Sequence, residues 1–419
     1  MGKERRAALR LGPGLITGAC NDDPSSVGTY SQVGAQFGFG LAWTLLFSFP
    51  LLVAIQEISA RLARVTGHGI AGNLRRHTPP WLAAALVALL AAANIFNLAA
   101  DLGAMGAVLH LLIDGPALLY VCLLGAASVL IELRSRYAPY VRLLRWLSLS
   151  LLSYVLCAFV VAVPWRQAGL ALLWPPLSGN PQYVLAVLAA LGTTISPYLI
   201  FWQAQQELED SEHHGRTPAL RADPAQAPQE FARIRFDTLI GMGLSGVVAL
   251  FIVITSASTL HVHGLLRIED TTQAAEALRA LGGRFTLALF ALGILGAGLV
   301  TLPALSTSAA YAFGELLSWR VGRGHPRRRA RWFYAAIAVA MALAVALNLS
   351  SLNPIRALYW SALLNGVICA PLLAALMYLA TNPAVMGPLR LSASLRVLGW
   401  LAAGTMGCSL AGALVAWLS

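Results

Sequence analysis

Two short polar stretches inside otherwise apolar runs carry most of the chemistry open to this sequence. The first is Gly18-Ala19-Cys20-Asn21-Asp22-Asp23-Pro24-Ser25-Ser26, set between Leu15-Ile16 and a segment that runs toward Phe37. An ionised carboxylate in apolar surroundings is costly and marks a pathway, a binding site or a buried ion pair. Pro24 lacks a backbone donor and clashes with the preceding turn, so a helix should unwind near residues 21–25 and expose carbonyl oxygens to a cation. Two adjacent acids repel when both are ionised, which gives an empty site a reason to recruit a divalent cation. The second stretch, Gly192-Thr193-Thr194-Ile195-Ser196-Pro197-Tyr198, repeats the arrangement with hydroxyls in place of acids. A proline in an apolar span is, by itself, a structural kink, and Asp22 or Asp23 would sit at a boundary if the first helix began near residue 26. The matching of the two breaks favours a transport site over both of those readings.

Other polar residues in apolar runs have two readings each. Asn94, Asn97 and Asp101 recur at three- and four-residue spacing and share one helical face, lining a water path or satisfying a neighbouring helix. Asn348, Asn353 and Asn365 allow the same pair of roles. Glu57 is placed to pair with Arg61 one helical turn away. His261-Val262-His263 is too short to define a metal site and reads as a polar loop. The acidic run Glu207, Glu209, Asp210 and Glu212 reads as a solvated helix end, with local concentration of cations as the alternative.

The elements that must hold these residues are membrane helices. The 419 residues are 58% hydrophobic and only 11% charged, against roughly 25% charge in a soluble domain. Apolar runs recur at lengths that cross about 30 Å of hydrocarbon, which takes roughly 20 helical residues. Eleven spans are expected, at about 11–38, 41–63, 82–110, 115–133, 143–163, 181–209, 235–260, 284–318, 332–349, 355–379 and 395–417. With the N-terminus inside, all but five of the 29 Lys and Arg residues fall in cytoplasmic segments; the exceptions are Arg166, Arg267, Arg279, Arg284 and Arg356. That asymmetry predicts an N-inside, C-outside orientation. The net charge of +11 is therefore topological, since no basic surface interleaved with aromatics suits nucleic acid.

Spans one to five (11–163) and six to ten (181–379) form two candidate halves of an inverted repeat, each opening with a broken helix, and 395–417 is an additional span. The whole chain is one transmembrane unit. Cys20, Cys122, Cys157, Cys369 and Cys408 are dispersed through the spans and read as buried small residues. The proline-bearing segment at about 210–230 is expected to be a cytoplasmic linker, and no cleavable signal peptide is apparent. No paired nucleophile and base points to an enzyme.

The stretch from Gly12-Pro13-Gly14 through Asp23-Pro24-Ser25-Ser26 to Gly34-Ala35-Gln36-Phe37-Gly38 resembles the first helix of the Nramp divalent-metal transporters. Asp22-Asp23-Pro24 with Thr193-Thr194-Ile195-Ser196-Pro197-Tyr198 is most similar to the bacterial Nramp-related magnesium transporter branch, and Leu302-Pro303-Ala304-Leu305-Ser306-Thr307-Ser308 extends the likeness over most of the chain. The resemblance implies an all-α, LeuT-like fold with a 5+5 inverted repeat and a metal held by helices one and six. The family's Asp-Pro-Gly-Asn motif falls on Asp23-Pro24-Ser25-Ser26, its Met-Pro-His on Ser196-Pro197-Tyr198, and its carbonyl-donating position on Thr193.

Asp23 is thereby the main implied ligand, with Asp22, Ser26, Thr193 and Ser196 coordinating directly or through water. Asn21, Thr194, Tyr198, Asn94, Asn97, Asp101 and Asn365 are implied pathway or supporting residues. Loss of the thioether favours hard ions, so the expected cargo is Mg²⁺ and then Mn²⁺, with no permanently bound cofactor. The family's Asp-Leu-Ala-Glu matches Asp101-Leu102-Gly103-Ala104, and the missing second acid, like the missing histidine, argues against proton coupling. A proton-coupled Mn²⁺ or Fe²⁺ carrier and a LeuT-like amino-acid carrier are the alternatives. Divalent cations and lipid in a bacterial inner membrane are the implied partners, with no obligatory protein partner.

Overall fold

The computed structural model describes residues 12–134, 142–144, 146–174, 178–215, 219–266, 268, 271–322, 330–350 and 353–418, with the backbone alone at 271–286, 355 and 416–418. The basic residues Lys3, Arg5, Arg6, Arg10, Arg136, Arg145, Arg216, Arg267, Arg323, Arg327, Arg328 and Arg329, together with Pro218, lie outside the described residues. The charge asymmetry thus stays an argument from sequence.

The chain is helical throughout the described residues. The first expected span is two helices, α1 (Pro13–Asn21) and α2 (Pro24–Phe37). They are followed by α3 (Trp43–Thr66), the short α4 (Ile70–His77), α5 (Pro80–Ile113), α6 (Ala117–Arg134), α7 (Leu152–Val160) and α8 (Trp165–Leu173). The sixth span is also two helices, α9 (Pro181–Thr194) and α10 (Pro197–His213). The remaining elements are α11 (Ala227–Ser256), α12 (Thr271–Leu316), α13 (Arg331–Leu347), α14 (Pro354–Thr381), a single turn at Pro383–Met386, and α15 (Ala393–Leu418). Among the described residues, nine helical segments are long and apolar enough to cross a membrane. The broken pair α1–α2 and the 17-residue α13 occupy the other two expected positions.

Exposed apolar side chains such as Phe47, Leu123, Phe159, Trp174 and Trp400 face outward all around this bundle. Such a surface suits lipid, where helices satisfy every backbone group internally. Inside, helices approach through glycine. A Cβ on Gly18 would lie 2.1 Å from the Gly241 carbonyl oxygen, and one on Gly241 would lie 2.0 Å from that of Gly14, so α1 and α11 touch backbone to backbone. The same device joins α9 to α14, where a Cβ on Gly192 would meet the Ala362 oxygen and the Gly366 nitrogen at 2.5 Å. Small residues at such crossings let helices pack closely where no hydrophobic effect drives them together. Both broken helices are thereby pinned on their first halves.

Two expectations fail on packing. The acidic run is not a solvated helix end: Glu207, Glu209 and Asp210 are buried, and only Glu212 is exposed. Glu207 pairs with Arg233 of α11, and Glu209 accepts from the Tyr311 hydroxyl of α12. The 210–230 segment is partly helical at both ends, since α10 runs to His213 and helix resumes at Ala227, and the connection between them is docked. Between them, Leu220 N–H and Arg221 N–H donate to the Arg64 and Val65 carbonyls at 2.8 and 3.2 Å, using acceptors that the end of α3 leaves free. Cys122 and Cys408 are exposed on the apolar exterior, while Cys20, Cys157 and Cys369 are buried as expected. The expected pair Glu57–Arg61 forms within α3.

Candidate metal site between two broken helices

Each break is built by its own sequence. Asp22 ends α1 with φ −96° and ψ 53°, and Asp23 caps α2 in an extended conformation with Pro24 in the first helical turn. Proline there is preorganised for a helix start and removes a donor that would be orphaned anyway. At the second break, Ile195 ends α9 and Ser196 precedes Pro197 in the same role. The C-terminal ends of α1 and α9 present carbonyls, the negative ends of their dipoles, while the N-terminal ends of α2 and α10 favour the Asp23 carboxylate.

The five implied ligands do not all converge. Asp23 Oδ1 accepts from Ser26 N–H at 2.6 Å and lies 2.7 Å from Ser26 Oγ. Ser26 Oγ in turn lies 2.8 Å from Thr193 Oγ1, which carries the contact from one break to the other. Ser196 Oγ donates to the Thr193 carbonyl at 2.8 Å. Asp22 turns elsewhere: its Oδ1 accepts from Ser245 Oγ of α11 at 3.0 Å, and Ser245 Oγ in turn accepts from Asn21 Nδ2 at 2.9 Å. The two adjacent carboxylates therefore face different helices, and Asp22 is not grouped with Asp23, Ser26, Thr193 and Ser196.

Four carbonyls at the breaks receive side-chain donors. Tyr198 Oη donates to the Cys20 carbonyl at 2.5 Å and lies 3.3 Å from Asp23 Oδ2. Ser26 Oγ is 2.8 Å from the Asn21 carbonyl, and the Cys369 thiol donates to the Ile195 carbonyl at 3.1 Å, beside Ser196 on Thr193. Sequence reasoning gave no role to Cys369 or Ser245, because the helices that bring them to the breaks are 174 and 223 residues distant in the chain. A lone polar residue at the right depth of a late span was the only signal available.

Of the supporting residues, Asp101 stands nearest. Its Oδ1 accepts from both Ser25 N–H at 3.0 Å and Ser25 Oγ at 2.7 Å, which places a third carboxylate at the first turn of α2. Asn94 donates to the Leu305 carbonyl at 3.0 Å, a bond between helices, whereas both side-chain atoms of buried Asn97 lack a partner. Thr194 bonds the Tyr30 hydroxyl at 2.9 Å and the Ala190 carbonyl at 2.7 Å, and Asn365 is buried in α14. Asn348 bridges to the Ala99 carbonyl at 2.9 Å. His261 Nδ1 donates to the Ala35 carbonyl at 2.9 Å and ends a helical turn.

Asp23, Ser26, Thr193 and Ser196 are each at most 1% exposed, so water does not reach them in this arrangement. None of the ion pairs among the described residues involves Asp22, Asp23 or Asp101. No three His, Cys, Asp or Glu side chains converge among the described residues either. A metal at Asp23 would therefore rest on one carboxylate plus hydroxyl and carbonyl oxygens. That donor set suits a hard cation and offers a soft one little.

A bundle of membrane-length helices, two of them interrupted around a buried carboxylate, defines a membrane transporter. The sequence profile described as natural resistance-associated macrophage protein-like matches residues 14–416, and the chain belongs to this Nramp family of transporters. It is 28% identical over 410 residues to the "Divalent metal cation transporter MntH" of Klebsiella pneumoniae strain 342, covering 95% of this chain and 92% of that protein. A second Klebsiella pneumoniae protein of the same name is 29% identical over 409 residues, covering 94% and 91%. The fold is similar to that of the Eremococcus coleocola manganese transporter bound to an aromatic bis-isothiourea compound, with a TM-score of 0.73 at 19% identity, covering 97% of this chain and 86% of the other. It is also similar to Mhp1, a nucleobase-cation-symport-1 family transporter, with a TM-score of 0.59 at 15% identity, covering 97% and 93%.

Proposed function

We propose that the chain carries Mn²⁺, and Mg²⁺ as a second accepted cargo, across a bacterial inner membrane by alternating access about the two breaks. The observation that carries this reading is the contact of Asp23 with Ser26 and of Ser26 with Thr193, which puts a carboxylate and hydroxyls from both broken helices in one buried cluster. The sequence alone put Mg²⁺ first. The relatives' names bring Mn²⁺ forward, and an oxygen donor set accepts both ions. The units 11–163 and 181–379 would then move relative to each other around the cluster, with the N-terminus inside on the evidence of the basic segments.

A second reading, proton coupling, is favoured by one specific observation. Asp101 is buried against Ser25, two residues beyond Asp23, where a proton could move with the ion. The missing second acid at Ala104 and the tyrosine at position 198 favour an uncoupled carrier. Purified protein in vesicles loaded with a pH-sensitive dye separates the two. Saturable, mutually competing Mn²⁺ and Mg²⁺ uptake without proton entry is expected, with Cd²⁺ weaker by roughly tenfold. Proton entry in fixed ratio to metal would establish coupling, and absence of Mn²⁺ flux would sink the cargo assignment.

A further inference from the structure

We infer that the Tyr198 hydroxyl is an internal stand-in for the cargo, holding the empty carrier closed by occupying oxygens the cation must take. The inference rests on the reading that Asp23 binds a divalent cation. Unwinding at the first break leaves the last carbonyls of α1 without helical donors. The Cys20 carbonyl receives the Tyr198 hydroxyl at 2.5 Å, and that hydroxyl oxygen is also 3.3 Å from Asp23 Oδ2. Ser196 on Thr193 spans three residues and is a local turn cap. Tyr198 and Cys20 are 178 residues apart, so no local cap accounts for their contact.

A hydroxyl has a single proton to give. Here one proton stands between two acceptors, a carbonyl at the shorter distance and a carboxylate oxygen at the longer one. A cation entering between these oxygens satisfies both, and the phenol must then turn or withdraw. Cys20 is the next-to-last residue of α1 and Tyr198 the second of α10, so the same bond is a strut between the two broken helices. Loading exchanges that strut for an ion. The loaded carrier needs no hydroxyl at position 198. The empty carrier does, because a buried carbonyl and the Oδ2 of a buried carboxylate, left without a donor, are costly on the way back through the closed arrangement.

Tyr198 is accordingly a positioning residue whose loss should divide two transport modes that a merely structural tyrosine would affect alike. The test is Tyr198→Phe in proteoliposomes, with net Mn²⁺ uptake into empty vesicles and Mn²⁺ exchange between loaded sides measured in parallel. Exchange should stay within about twofold of wild type, while net uptake falls roughly tenfold and half-saturating Mn²⁺ drops by about threefold, the competing hydroxyl being gone. Exchange and net uptake falling together, or neither changing, would overturn the inference. Should the phenylalanine protein not insert, Tyr198→Leu, which also lacks the hydroxyl, is expected to show the same division, and equal losses in it would overturn the inference as well. Wild-type protein that moves Mn²⁺ in neither assay would instead remove the transport reading beneath it.

Discussion

The two helix breaks are alike in backbone and unlike in charge. Both interrupt a span just before a proline, and both leave carbonyls that side chains cap. The first break supplies all the acid, with Asp23 capping its own second helix through Ser26. The second supplies none: Ser196 sits at the cap position but makes no side-chain cap bond, and its hydroxyl points back to Thr193. The difference separates two tasks. One break fixes where charge sits, and on the proposed reading the other, with its short neutral donor, would set which cation fits against that charge.

Removing the charge is the most drastic way to break this comparison. Asp23→Ala should lower saturable Mn²⁺ uptake about a hundredfold while membrane insertion is preserved, since one buried carboxylate anchors the cluster. Uptake into vesicles, normalised to inserted protein, checks this, and near-normal flux would take Asp23 out of the site. Altering the neutral break should change selectivity more than rate. Ser196→Met fills the space of a short hydroxyl with a weak sulfur donor and should shift competition from Mg²⁺ toward Cd²⁺ by roughly tenfold. An unchanged order among Mg²⁺, Mn²⁺ and Cd²⁺ in a well-inserted protein would assign selectivity to cavity shape instead. The smallest effect is expected at the neighbouring acid. Asp22 is tied to Ser245, away from Thr193, so Asp22→Ala should reduce uptake by only about two- to fivefold. Kinetics as poor as those of the Asp23 variant would show that both acids serve one ion.

Much of this arrangement was legible in the sequence because proline and acid are rare in apolar runs and both effects act locally. Pro24 and Pro197 each start a new helix next to a polar stretch, whereas Pro50, Pro303 and Pro371, in apolar surroundings, stay inside continuous helices, and Asp23 caps the helix that follows it. Burial of the acidic run was not legible. Glu207 reads as the polar end of a helix until Arg233 is seen across from it, and hydropathy carries no record of which helices cross. Asp22 and Asp23 are chemically identical neighbours, and only backbone angles at the break send one to α11 and the other to Ser26. The role of Asp101 was half visible: the shared face with Asn94 and Asn97 could be read from spacing, but its bonds to Ser25 depend on how α5 leans on α2.

The glycine seam between α1 and α11 has a mechanical consequence. At Gly14, Gly18 and Gly241 the two helices meet without side chains between them, and the Asp237 carboxylate of α11 holds the start of α1 by accepting from Gly12, Gly14 and Leu15 N–H at 2.8, 2.6 and 3.2 Å. Such a joint has nothing to compress and no rotamers to exchange. On the proposed alternating-access reading this seam joins α1 of the 11–163 unit to α11 of the 181–379 unit, so it is the pivot about which the two units would turn, not a surface along which they would part.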